Sequence, residues 1–541
     1  MTAAATLLPI ATAIVAVAAT FGVLDVASHA VNVPSFGPEL AALVGLGVGI
    51  DYALFVVTRY RAALHAGAAP QQAVVTAMAV SGRAVVFAGG TVVLSLLGLF
   101  LLGLPFIYGA ALGAIVAVML VMATSLTLLP ACLGFAGVGI DRLRLGRRHR
   151  SDQSSGTAQG WWWRWSRQVQ RRPWQAGALA LAALALLAVP FASLRLAFTD
   201  AGTGPASYTS RQAYDLIAKG FGPGTNGPLV MALGPLSSGG QARHVVAALR
   251  SDLARQPDVS FLTAPVYNPA GTAAVLTVIP RTSPQDARTA ALVQRLRQLA
   301  APPSAGPGIR TLIGGQTAAS IDTSSVISRH LAAVVAFVIA CSVLLLIVAF
   351  RSVLIPLVSA GLTLVSTIAA YGVIVAVFQW GWLGPGIDNG TTAPVDPWIP
   401  LMLFALLFGF SMDYQVFLVS RIREEWLAGA SDSDAVANGL ASTGRVITSA
   451  AAIMICVFAA FVLGDLRVLR VIGFGMAVAI FLDATLVRMI AMPSVLRLLG
   501  RAGWWFPRWF DRIVPAFLAE ERAELTSAGS AAHHTPLEAG R

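Results

Sequence analysis

Apolar and polar positions along the 541 residues fall into long blocks rather than the short periods of a water-soluble fold. Runs of about 20 apolar residues, enough to span a ~30 Å hydrocarbon core, lie near 5–25, 39–58, 83–103, 108–130 and 175–195. They resume near 330–350, 354–378, 399–420, 446–463 and 468–491. The pattern predicts a polytopic α-helical membrane protein with about ten transmembrane helices. Segment 196–329 is the one stretch long enough for a separate domain, and its period changes. GPLVMAL (227–233), VSFLTAPVY (259–267), AAVLTVIP (273–280) and GIRTLIGG (308–315) read as strands. QARHVVAALRSDLARQ (241–256) and DARTAALVQRLRQLA (286–300) read as amphipathic helices. Two helices on an antiparallel sheet predict an α+β split fold, entered through a Gly/Pro-rich linker at 220–226.

Charge placement orients this plan. The net charge is +12, carried almost wholly by arginine beside a single lysine, Lys219. These arginines gather in short loops beside apolar runs, the positive-inside signature, so the charge does not point to nucleic acid. The basic loops at 59–83, 141–173, the Arg351 turn, 421–445 and 497–512 fall on one side if both termini are cytoplasmic. Segment 196–329 then lies outside a cytoplasmic membrane. The expected units are first-repeat helices (1–140), a basic, Trp-rich connector (141–174), a span (175–195), the extracytoplasmic domain (196–329), second-repeat helices (330–500) and a cytoplasmic tail (501–541). The connector holds RLRLGRRHR and WWWRWSRQVQRRPW. It reads either as a plain connector on the membrane surface or as a lipid-sensing or docking element.

The chain also repeats itself. GLGVGIDYALFVVTRYR (45–61) and LFGFSMDYQVFLVSRIR (407–423) align without a gap at a shift of 362 residues. The same register sets Ser81-Gly82-Arg83 on Thr443-Gly444-Arg445. Each copy puts a carboxylic acid, Asp51 or Asp413, inside an apolar run. An ionisable residue there is costly and marks a functional site by default, and an equivalent pair predicts a meeting at the repeat interface. Asp51 precedes Arg59 by eight residues, about 12 Å of helix. With Arg59 at the membrane edge, both acids sit near the midplane. Desolvation and a neighbouring acid both disfavour the charged form, as a proton carrier requires. Tyr52 and Tyr414 add hydroxyls able to relay a proton. The alternative is that each Asp only bonds a neighbour and holds the bundle together. Asp483 is a third acid in an apolar run. It either extends the relay or forms a structural pair with Arg488 or Arg445. Arg83 and Arg445 read as headgroup anchors.

Other chemistries find no support. Cys132, Cys341 and Cys456 show no metal or redox spacing. The histidines form no metal constellation, and His533 and His534 sit in a polar tail at 519–541 that reads as disordered. No phosphate-binding loop is present. The sequence implies no enzyme, no metal and no cofactor.

The DY helices, SGRAVV and TGRVIT, and DATLVRMIAMP (483–493) resemble the MMPL family of the resistance–nodulation–division superfamily. SYTSRQAYDLIAKGFGPGTNGPL (207–229) resembles the entry to that family's second porter domain. The resemblance implies proton-driven export of lipids or other hydrophobic molecules. It implies a relay of Asp51, Tyr52, Asp413 and Tyr414, each Asp bonding the Tyr of the other helix. Phe55 and Phe417 would flank it, with Asp483 as possible support. The expected partners are protons, membrane lipids and a lipidic substrate. Drug efflux or a protein-export subunit is an alternative within the superfamily. The family pattern is helix, porter domain and five helices, written twice, and the 362-residue shift leaves the first helix, first porter domain and next helix without counterparts. Either the start is mis-called, or a second copy or a partner supplies the missing domain, or the chain is a truncated, non-transporting scaffold or relic.

Overall fold

The computed structural model describes residues 3–141, 161–236, 240–299, 309–384, 387 and 392–507. The basic stretch 142–150 and the tail with His533 and His534 lie outside them. The first half is built from α1 (Ala3–Ser28), α2 (Gly37–His65), α3 (Pro70–Leu97), α4 (Pro105–Leu126) and α5 (Leu128–Ala136). Next come α6 (Trp161–Arg171) and α7 (Pro173–Ala188). A sheet domain with α8 (Thr209–Phe221), α9 (Gly240–Ala254) and α10 (Ala287–Gln298) follows. The second half has α11 (Gln316–Phe350), α12 (Leu354–Ile374), α13 (Trp398–Leu427), α14 (Asp432–Ala460), α15 (Arg467–Leu482) and α16 (Met492–Leu499). Among the described residues, ten stretches are helical, long and apolar enough to cross a membrane.

Local chemistry sets the helix ends. Proline lies in the first turn of α2, α3, α4 and α7, where its missing N–H costs nothing and its fixed φ favours the helix. The two DY helices end alike. Just past α2 and α13, Gly67 and Gly429 adopt φ of 91° and 93°, a region that glycine enters without a side-chain clash. They are 362 residues apart, so the repeat extends to its terminators.

α13 is the axis of the bundle: 82% of its apolar window is buried, against 17% for the peripheral span Pro173–Ser193. The halves pack crosswise. A Cβ at Gly47 on α2 would lie 2.8 Å from the Phe458 ring of α14. A Cβ at Gly409 on α13 would lie 2.9 Å from the Val92 backbone of α3. Each DY helix therefore rests on the helix that follows the other. α15 continues into a π-helical segment, Asp483–Ala491, before α16.

The sheet domain uses β1 (Leu229–Gly234), β2 (Val259–Leu262), β3 (Val266–Tyr267), β4 (Ala274–Pro280) and β5 (Arg310–Gly314). All pairings are antiparallel in the order β2-β4-β1-β5, with β3 also on β4. With α9 and α10 as crossovers this is a split βαβ arrangement. Alternate residues Leu229, Met231 and Leu233 are buried with Leu276 and Val278, forming one core with Leu249, Leu253, Leu292 and Leu296. Each such burial contributes roughly 1.5–3 kcal/mol. Two details depart from the sequence reading. The run 259–267 splits into β2 and β3 after a register shift between Val259 and Phe261. Residues 209–221, read only as an approach to the domain, form α8. Ala318, near the start of α11, belongs to the sheet-domain core, so one 35-residue helix runs from that core into the bundle.

The chain leaving α7 is stitched to the bundle on the way to the sheet. Leu196 forms a bridge with Val395. Asp396, buried, accepts from the Thr199 N–H at 2.9 Å and from its hydroxyl at 3.0 Å. Arg467, the first residue of α15, is buried and donates to the carbonyls of Ala393 and Pro394 at 3.0 Å. Burial pushes the Asp396 carboxyl above the ordinary carboxylate range, with the Thr199 bonds and the Arg467 charge acting the other way.

The Trp-rich helix α6 is docked rather than merely laid on a surface. A Cβ at Gly444 would lie 2.9 Å from the Trp162 indole, and Trp165 Nε1 donates to the Met489 carbonyl at 3.1 Å.

Candidate functional site

Asp51 stands at the midpoint of the 29-residue α2, and Asp413 near that of the 30-residue α13. Desolvated carboxylates at the middle of long apolar helices must be paired or neutralised. The Tyr414 hydroxyl of α13 is in hydrogen-bonding reach of the Asp51 carboxylate of α2 and lies 3.2 Å from Met454 Sδ, and the Arg488 guanidinium interacts electrostatically with Asp51. The two repeats thus meet through an acid of one and a tyrosine of the other. The Asp413 side chain lies outside the described residues. Tyr52 is buried.

One turn beyond the acids, Phe55 and Phe417 meet edge to face at 5.3 Å. The Arg59 guanidinium lies 6.0 Å from both ring centroids. The aromatic pair is therefore shared by both DY helices, beside the acid–tyrosine bond.

Asp483 is ion-paired with Arg488: Nε donates at 2.8 Å and Nη2 lies 2.6 Å from the carboxylate. Both residues are buried, at 4% and 1% exposure, deep enough that either charge alone would be uncompensated. Ser411 Oγ lies 3.0 Å from both Asp483 oxygens and 3.2 Å from Thr363 Oγ1. Arg488 Nη2 also donates to the Ser411 carbonyl. The Arg488 Cζ sits 4.8 Å from the centroid of the Tyr414 ring, a cation–π distance. Arg488 therefore joins Asp483 to the Asp51–Tyr414 bond. Arg445, the other partner considered for Asp483, is exposed, as is Arg83. A cavity of about 10 Å³ borders Ser411, Tyr414, Met454, Asp483 and Arg488, at the limit of room for one water.

Sequence reasoning named Asp51, Tyr414, Phe55, Phe417 and Asp483, and the structure brings all five around Arg488 or Arg59. It missed Ser411, and it missed the reach of Arg488 to Asp51. The available signal was Arg488 itself, a charge in an apolar run. Among the described residues no group of three His, Cys, Asp or Glu side chains is placed to hold a metal.

YdfJ, a membrane protein of Bacillus subtilis, is 33% identical over 508 residues, covering 94% of this chain and 69% of that protein. The heme uptake protein MmpL11 of Mycobacterium tuberculosis is 35% identical over 519 residues, covering 95% of this chain but 53% of its own length. The trehalose monomycolate exporter MmpL3 of the same organism is 28% identical over 588 residues, covering 98% and 60%. This chain thus spans from about half to about two thirds of these relatives. SecDF, a translocon-associated membrane protein of Thermus thermophilus, shares the fold, with a TM-score of 0.54 and 14% identity over 91% of this chain and 58% of that one. The model of the MMPL family matches residues 2–176 and 230–519, both copies of the Asp-Tyr helix included, and the chain belongs to that family.

Proposed function

We propose that this chain is the proton-coupled part of an exporter of lipids or other hydrophobic molecules, in a cytoplasmic membrane with both termini inside and the sheet domain outside. Asp51, Tyr52, Asp413 and Tyr414 carry the proton, supported by Phe55, Phe417 and Asp483. The observation that carries this reading is the hydrogen bond from Tyr414 to Asp51 between the two repeats, at the middle of the membrane helices. Protonation of the acid weakens its attraction to Arg488 and to the hydroxyl dipole, so a proton entering or leaving changes what holds α2 to α13. Relatives named as exporters of mycolic acid-containing lipids and of trehalose monomycolate support an apolar cargo.

Export needs a second sheet domain in this reading, supplied by sequence beyond the residues given, by a second copy or by a separate partner. The turn Gly98–Leu102 packs on α11, where a Cβ at Gly98 would lie 3.0 Å from Phe337 and Val338. Its repeat counterpart, Phe461–Leu463, leaves Leu463 84% exposed. That asymmetry favours a second helix equivalent to α11 against the second half, at Leu463.

The test is export by the complete transporter, read beside membrane protein level. Asp51→Asn and Asp413→Asn should each abolish export at near-normal levels, since an amide keeps the shape but releases no proton. Parental export by either variant removes that residue from the relay. Thiol labelling of Ser260→Cys from outside, and of Ala66→Cys only after permeabilisation, tests the orientation.

A further inference from the structure

Helix α6 has two faces of different chemistry. The inner face is satisfied by the bundle: Trp162 lies on Gly444 and Trp165 holds the Met489 carbonyl. Arg167 is ion-paired with Asp434 and donates to Ser433 Oγ at 2.9 Å, and Ser433 donates to Gln170 at 2.9 Å. On the outer face, Arg164, Gln168 and Arg171 follow i, i+4, i+7 spacing and are all exposed. Arg172 comes next, also exposed. Among the described residues, Arg171 reaches only Gln168, and Arg172 only Gln175. Among the described residues none of Arg164, Arg171 and Arg172 meets a carboxylate. The indoles of Trp161 and Trp174 are exposed at the two ends of this row.

The position of the row matters as much as its charge. The span α7 starts at Pro173, so the arginines stand where a membrane helix meets the headgroup layer. Exposed indoles at that level sit naturally among headgroups. A guanidinium offers parallel donors to a phosphodiester. We propose that the outer face of α6 is a docking surface for anionic phospholipid headgroups. Trp165 then ties the docked helix to the last turns of the π segment that carries Asp483 and Arg488, so the lipid steadies the segment on which the buried ion pair is built.

The purified full chain, titrated with phosphatidylglycerol or phosphatidylcholine and examined by native mass spectrometry, tests the docking. The variant is Arg164→Gln/Arg171→Gln/Arg172→Gln, and the control is Arg288→Gln/Arg310→Gln in the sheet domain. Each basic residue at an anionic surface accounts for about fivefold in binding, so the triple variant should bind phosphatidylglycerol on the order of a hundredfold more weakly. The control should bind as the parent, and phosphatidylcholine should bind parent and variant alike. Unchanged binding by the triple variant, equal binding of the two lipids, or full displacement by millimolar inorganic phosphate would overturn the proposal. Hydrogen exchange over 483–491 in vesicles reads the connection. It should slow when phosphatidylglycerol replaces phosphatidylcholine in the parent, and not in Trp165→Phe, which lacks the donor. Exchange insensitive to the lipid in the parent would sink the link to the π segment.

Discussion

Asp483 and Arg488 are five residues apart, yet Arg488 Nε donates to Asp483 Oδ2 at 2.8 Å. In an α-helix, residues five apart point about 140° away from each other. The π turns of Asp483–Ala491 bring them onto one face, and such segments recur at functional sites. Removing one partner strands a buried charge. Arg488→Met should therefore cost about 3–5 kcal/mol, while Asp483→Leu with Arg488→Met should recover most of it. Thermal unfolding of the purified protein checks the stability, and export by the complete transporter checks the chemistry. A stable double variant that exports normally would leave Asp483 a purely structural role.

The tyrosines should grade below the acids. Tyr414→Phe removes the donor to Asp51 but leaves both carboxylates, and Tyr52→Phe does the same to the buried equivalent position. Each should slow export without stopping it, because water can replace a hydroxyl where a proton must pass. One proton crossing 100 mV releases about 2.3 kcal/mol, so a partial relay still has a driving force. Complete loss of export in Tyr414→Phe at normal protein level would make the hydroxyl itself an obligatory carrier.

Two glycines make the crosswise packing testable. At Gly47 an added Cβ meets the far edge of the Phe458 ring, which can turn aside; at Gly409 it meets the Val92 backbone. Gly409→Ala should therefore destabilise by about 1–3 kcal/mol, and Gly47→Ala by clearly less. The ratio of folded to aggregated protein on extraction, compared between the two, reads the difference. Equal effects would mean that α3 yields as easily as a ring.

Asp396 gives a pH dependence outside the membrane. Burial raises its folded-state pKa above the ordinary 3.8, so the folded state holds a proton that the unfolded chain has released. Its contribution is neutral below 3.8, falls as pH rises through the raised folded value, and then levels off. Asp396→Asn should flatten this part of the profile, gaining on the parent as pH rises. Melting temperatures of both proteins across pH 4–7 measure it; parallel profiles would show that the Thr199 bonds and Arg467 offset the burial.

The spans, the strands of the sheet domain and the repeat were legible because each rests on periodicity, which local sequence carries directly. Asp51 stood out because an acid in an apolar run has few innocent explanations, while its pairing with Tyr414 was implied only by the family resemblance. The π segment was not, since its residues fit an α-helix equally well and only the Asp483–Arg488 bond distinguishes the two. Ser411 was hidden for the same reason: a small residue on a crowded helix looks like packing until its hydroxyl is seen between Thr363 and Asp483. The docking of α6 depends on Gly444 and Met489, hundreds of residues away, and α8 was masked by weak apolar periodicity in an otherwise polar stretch.

The crosswise seating of α2 on α14 and α13 on α3 makes the halves mutually dependent. The two copies of the repeat do not stand apart as separate modules; each is the other's floor. A bulkier residue at 47 must be answered at 458, in the opposite copy, and one at 409 by a shift of the helix at 92. A substitution in either half is therefore answerable to the other.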